Sequence, residues 1–226
     1  MTEPLRVMLE IGPKGKKVAA VASDWPGLQR GAKTEEAAVV RLIAYLPRYS
    51  PAGALAGLAA EFPVSGAAVN LVERYPGVTS TDFWGISFAF SSFDNEEMSR
   101  EALERDLSLM QGCWAFFDEV RSWVSAEMQK GPRGGGRDRD QIVRHTVVAE
   151  QDWARKLGLR APEDAWLSDE ALQAHRDAYC QAIRACHDQG NMARTWPLRF
   201  LIRHTAFHTM DHAWEMEDKD LTAISG

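Results

Sequence analysis

The chain has 226 residues, of which 45% are hydrophobic and 26% charged, with a formal net charge of −6. That balance is the one of a soluble globular protein with a real core, and the acidic sum argues against a dedicated nucleic-acid binder. No apolar run approaches the roughly 18 residues of a membrane helix. The opening MTEPLRVMLEIG has acid and proline where a signal peptide needs basic and then apolar residues, so a cytoplasmic location is expected. Three cysteines without a CxxC pair argue against a disulfide framework and a cysteine zinc site.

The first ninety residues read as a small α/β unit. Leu5 to Ile11 and Val18 to Ala22 are β-prone runs around the turn Gly12-Pro13-Lys14-Gly15-Lys16, which predicts a hairpin. Ser23-Asp24-Trp25-Pro26-Gly27 ends it. Thr34 followed by Glu35, Glu36 and Ala37 is a helix start with acids in the first turn, and Pro47 predicts its stop. Pro51 to Phe62 is rich in alanine and glycine and has room for a short helix. Val69 to Arg74 and Phe83 to Phe90 read as two further strands, with Gly85 as a bulge in the second.

From Asn95 onward long helical periodicities take over. Asp94 or Asn95 caps a helix reaching about Gln129, striped by Leu103, Leu107, Met110, Trp114, Phe117, Val120 and Val124. Gly131-Pro132-Arg133-Gly134-Gly135-Gly136 breaks it and reads as a linker. A second helix runs from Asp138 or Asp140 to Leu157. A third runs from Ser168 to His187, closed by Gly190. A fourth starts at Thr195-Trp196-Pro197 and reaches Glu217. The expected fold is α+β: an α/β module over residues 1–93, then an antiparallel four-helix bundle over 94–226.

Three of the six histidines, His204, His208 and His212, follow one another at i, i+4 steps, within an arc of about 80°. Leu201 falls in that arc and Phe200, Phe207 and Trp214 flank it, so the imidazoles share the side a bundle buries. Buried imidazoles without partners cost about 1–3 kcal/mol each. Core hydrogen bonds answer that cost; so does metal ligation, and an i, i+4 pair lets two helical histidines share one ion. A complete site needs a ligand from another helix, and His145, on a face with Ile142, Ala149 and Trp153, is the candidate. His175 and His187 lie in a polar helix and read as surface residues. Glu150 is about 140° round the wheel from His145, while Asp152 is better placed but two turns away. Cys113, Cys180 and Cys186 read as small core residues. Trp114, Trp153 and Trp214 fall on helical stripes, and Trp25 and Trp84 are candidates for sealing the contact between the halves.

The runs IVRHTVVAE over residues 142–150 and RHTAFHTMDHAWEMED over residues 203–218 resemble the DinB-like (DinB/YfiT) metal-binding four-helix bundles, over roughly Glu97 to Asp218. That resemblance implies a metal held by His145, His208 and His212, with His204 behind them or in the core. The third histidine in register leaves open a pair of His204 with His208 instead. Ser23-Asp24-Trp25-Pro26-Gly27-Leu28, Gly31 and Thr34-Glu35-Glu36-Ala37 resemble the HicB-like α/β module over Leu5 to Leu46, with no DNA-binding segment in the sequence.

Three neutral histidines with an open position suit a divalent metal, Zn²⁺, Ni²⁺ or Fe²⁺. Such an ion lowers the pKa of bound water for hydrolysis or stabilises a thiolate. Thiol-dependent relatives in the family imply the second route, with a low-molecular-weight thiol as co-substrate. Asp211 and Glu215, at i+3 from His208 and His212, are the candidate catalytic acids, to orient an imidazole or move a proton. The expectation is therefore a metal-dependent transferase or hydrolase acting on a small-molecule substrate, without nucleic acid or membrane, with a homodimer left open. The alternative is a non-catalytic binding protein on a metal-stabilised or metal-free bundle.

Overall fold

The computed structural model describes residues 3–63, 68–132, 134–160 and 167–222. Strands β1 (Leu5–Ile11) and β2 (Val18–Ala22) form the expected antiparallel hairpin. Its turn is held from outside, because the Asp82 carboxylate accepts the backbone N–H groups of Lys14 and Lys16 at 2.7 and 2.8 Å. Strand β3 (Gln29–Ala32) extends the sheet beyond β2, and β4 (Val69–Pro76) pairs in parallel with the other edge of β1. The order is β3-β2-β1-β4.

Helix α1 (Glu35–Ala44) is capped by the Thr34 hydroxyl, which accepts the Ala37 N–H as its sequence predicts. The helix stops at Ala44, close to the expected end, but Pro47 opens a further helix rather than a loop. It falls in the first turn of α2 (Leu46–Leu55), where its missing N–H costs nothing. Pro51 to Phe62 thus begins inside a helix and ends in turns.

The expected strand Phe83 to Phe90 is absent. Thr79–Trp84 forms a short helix α3, which Gly85 ends in the left-handed conformation at φ 72°. The residues after it run unpaired. Their apolar members Ala89 and Phe93 pack on Met8, Val21 and Tyr75, the second face of the sheet. Phe88 and Phe90 pack instead on His204, Trp196 and Phe200, and Phe83 and Trp84 are exposed.

Ser92–Asn95 is a single turn, α4, boxed by Ser91 and Asp94. The long helix is capped four or five residues later than expected, by Ser99, and α5 (Arg100–Trp123) ends at Trp123, short of the expected Gln129. Then come α6 (Arg139–Ala154), α7 (Asp169–Asp188) and α8 (Leu198–Lys219). Of the glycine-rich linker before α6, Arg133 lies outside the described residues. No described helix is long and apolar enough to cross a membrane.

One hydrophobic core runs through both parts of the chain, from Leu5, Val7, Trp25, Leu42 and Tyr49 to Met110, Cys113, Tyr179 and Trp214. Helix α2 lies so close to α5 that a Cβ on Gly112 would sit 2.3 Å from the Ala52 carbonyl oxygen. Trp25 is buried and packs edge-on to Tyr49 and Phe62, whereas Trp84 is exposed and seals nothing.

A buried polar knot ties α8 to the sheet. Arg203 donates from Nε and Nη2 to the two carboxylate oxygens of Asp94, both at 2.7 Å, and from Nη1 to Ser87 Oγ at 2.9 Å. Ser87 in turn donates to Glu10 of β1 at 2.7 Å, and Glu10 also accepts the N–H groups of Phe88 and Ala89 and the Thr81 hydroxyl. Bidentate pairing is what makes so deep a guanidinium tolerable.

Candidate metal centre

His208 and His212 stand one turn apart on α8, and His145 reaches them from α6. The three ring centroids lie 4.4–5.1 Å apart, and one nitrogen from each ring falls within 4.8 Å of the others. The Nε2 atoms of His208 and His212 face each other at 3.2 Å. His212 is buried, His208 half-buried and His145 exposed, so the cluster opens to solvent on its α6 side.

What orients His212 is Glu215. Its Oε2 accepts from Nδ1 at 2.7 Å, which turns Nε2 toward His208. Two cations grip the same carboxylate: Lys219 Nζ at 2.6 Å from Oε1 and Arg137 Nη2 at 3.2 Å from Oε2. Burial pushes the Glu215 carboxyl up, but the hydrogen bonds from His212 and Lys219 and the charges of His212 and Arg137 outweigh it and hold the group at about 2. At neutral pH it is therefore an anion with no proton to give.

His145 and His208 are biased toward the neutral, ligating form. Partial desolvation against its neighbours, reinforced by the charges of His212 and Arg137, lowers His145 to about 4. His208 is held well below its ordinary value, chiefly by burial and then by the neighbouring His212 and His145. Its buried Nδ1 has no hydrogen-bond partner among the described residues.

Asp211 does not join the cluster. Its carboxylate pairs with Arg30 Nη1 of β3 at 2.7 Å, and that guanidinium lies over the rings of Tyr45 and Trp214. Nor is His204 brought into it. It stacks on Phe200 at 5.2 Å between Phe88, Trp153 and Trp196. Trp153 bridges the two environments, touching His204 and His208 alike. Asp152 is exposed and paired with Arg155.

His175 is not the surface residue its helix composition suggests. It is buried, with Nε2 3.2 Å from Glu150 Oε1, beside the buried Arg176. Leu172, Tyr179 and Ile183 lie at i−3, i+4 and i+8 from it, a spacing that places it on the inward stripe. His187 hydrogen-bonds the Met98 carbonyl at 2.7 Å. Cys113 and Cys180 are buried and Cys186 is half-buried.

The donor set fits a divalent metal of the imidazole-binding kind. Ligands about 2.05 Å from a tetrahedral ion lie about 3.3 Å apart, close to the 3.2 Å between the two Nε2 atoms of α8. His145 needs to close in by about an ångström or more, a side-chain rotation open to an exposed residue. The carboxylate on Nδ1 of His212 is the usual outer partner of a ligating imidazole. The chain matches no protein-family model, no curated protein and no solved structure.

Proposed function

We propose that the chain binds a divalent first-row metal through His145, His208 and His212, and that it is a metal-dependent enzyme of thiol-transferase or hydrolase type acting on a small molecule. The observation that carries this reading is the convergence of imidazole nitrogens from two helices: one nitrogen each of His145 on α6 and of His208 and His212 on α8 lie within 4.8 Å of one another, the α8 pair is 3.2 Å apart, and a carboxylate fixes His212. On this reading α5 to α8 form an antiparallel four-helix bundle of the DinB-like kind, the sheet with α1 and α2 is its HicB-like module, and the protein works in the cytoplasm. The metal would be Zn²⁺, Ni²⁺ or Fe²⁺. When bound, it supplies Lewis acidity to a water or to a low-molecular-weight thiol.

The remaining work falls to the chain. Glu215 is a positioning residue: it fixes the tautomer and direction of His212, and its own direction is set by Arg137 and Lys219. Trp153 walls the His208 side, while the exposed His145 side leaves an approach for substrate. Asp211 is engaged by Arg30 and so holds α8 to the sheet rather than moving a proton.

Metal analysis of protein purified without a histidine tag tests the proposal. About one equivalent of a first-row metal is expected, lost in His145→Ala and His208→Ala. Metal content unaffected by both substitutions would remove the enzyme reading and leave the binding-protein alternative.

A further inference from the structure

A cleft of about 630 Å³ opens where β1 and the chain after β2 meet α5 and the start of α8, and none of the three clustered histidines lines it. Its size and its place at the junction of two parts of a fold are those of a small-molecule site. Most of its charged walls are spent on one another. Arg6 pairs with Asp24 at 3.0 Å, and Arg105 donates to the Asp24 carbonyl at 2.7 Å while lying over the Trp25 ring.

Two groups are not spent. Asp106 is only 6% exposed and makes no hydrogen bond or ion pair among the described residues. Burial pushes its carboxyl up to about 7, in spite of the charges of Arg199 and Arg105. Arg199 lies flat on Phe93, 4.0 Å from the ring centroid, and its buried Nε has no partner among the described residues. A carboxylate withdrawn from water without a donor costs several kcal/mol. An acceptor and a planar donor, both unengaged, thus face one cleft.

We propose that this cleft binds a small zwitterion of the α-amino-acid type, with its ammonium on Asp106 and its carboxylate on Arg199. A guanidinium offers parallel N–H donors matched to a carboxylate, and a buried carboxyl lacks just the donors that an ammonium carries. A simple anion would satisfy Arg199 and be repelled by Asp106; a simple amine would do the reverse. Only a ligand that carries both charges answers both groups, which makes the pair a filter as well as a seat.

Isothermal titration of the full-length chain with glycine, leucine, phenylalanine, glutamate and lysine tests this, with acetate and ethylamine as single-charge controls. At least one amino acid is expected to bind tighter than about 1 mM, with both controls at least about tenfold weaker. Asp106→Asn keeps the shape and removes the buried charge, so it folds, and it should weaken binding by about tenfold or more. Arg199→Met should do the same, with Arg199→Lys as the substitute if the methionine variant melts early. No amino acid binding at that level, a control binding as tightly, or affinity unchanged in both variants overturns the proposal. So does binding abolished by a chelator, which would assign it to the histidine cluster.

Discussion

Replacing His204 by phenylalanine separates two roles that the histidine stripe of α8 confounds. The ring is 6% exposed, in a box of Phe88, Trp153, Trp196 and Phe200. Burial, then the charge of Arg203, lowers its pKa from 6.5 to about 3. In the unfolded chain the same imidazole titrates at about 6.5. Between those values the unfolded state holds a proton that the folded state refuses, so stability is full above pH 6.5 and falls as pH drops toward 3. One unit is worth about 1.4 kcal/mol, giving about 2.7 kcal/mol at pH 4.5 and about 5 kcal/mol across the whole window. Phenylalanine fits the same box and carries no proton. At pH 7.5 the variant loses a hydrogen bond to the Ser87 backbone and the cost of an unpartnered Nδ1, two effects of about 1–3 kcal/mol that oppose each other. Urea unfolding of chelator-treated protein at pH 7.5 and 4.5 is the assay. The variant should gain about 2–3 kcal/mol on the wild type between the two values. Parallel losses in the two proteins would refute the burial argument. The same variant should keep its metal; loss of the metal would move the ligand pair one turn back, to His204 and His208.

Glu215→Gln should weaken metal binding about 10- to 100-fold, because the outer partner of His212 loses its charge, and competition with a chromophoric chelator would read it. Arg203→Met leaves Asp94 buried and uncompensated, and should cost about 3–5 kcal/mol in urea unfolding. Gly112→Ala forces α2 away from α5 and should cost about 1–3 kcal/mol, with the larger effect on the unfolding rate if that contact forms late.

Much of the architecture was legible wherever local signals and burial agreed. Thr34 and Ser168 announced their helices, and the stripes of α5 and α8 announced their buried faces. The inward direction of His208 and His212 followed from the same wheel. What escaped notice was structure made by partners distant in sequence. Gln29–Ala32 has no β-branched residue, and it becomes a strand only by pairing with β2. Missing it hid Arg30, and with Arg30 the partner that takes Asp211 away from the histidines. Phe83 to Phe90 has the apolar density of a strand, but Gly85 turns the chain and Ser87 enters the Arg203 knot. His175 and Asp106 were hidden by composition: each is a polar residue on an otherwise apolar stripe, at i+3 from Leu172 and from Leu103 respectively, and the stripe was the signal.

Helix α8 has obligations in two directions. Arg203 and Asp211 bind it to the sheet side, and one or two turns along His208 and His212 face α6. Cutting the chain near residue 93 would therefore not release a free-standing helical half. Arg203 would keep Asp94 but lose Ser87 and the Ala89 carbonyl, and Asp211 would lose Arg30. Anyone seeking a minimal version of this protein should expect to keep its first ninety residues, and a graft of the helical part onto another partner would have to rebuild that anchorage before any chemistry could be asked of it.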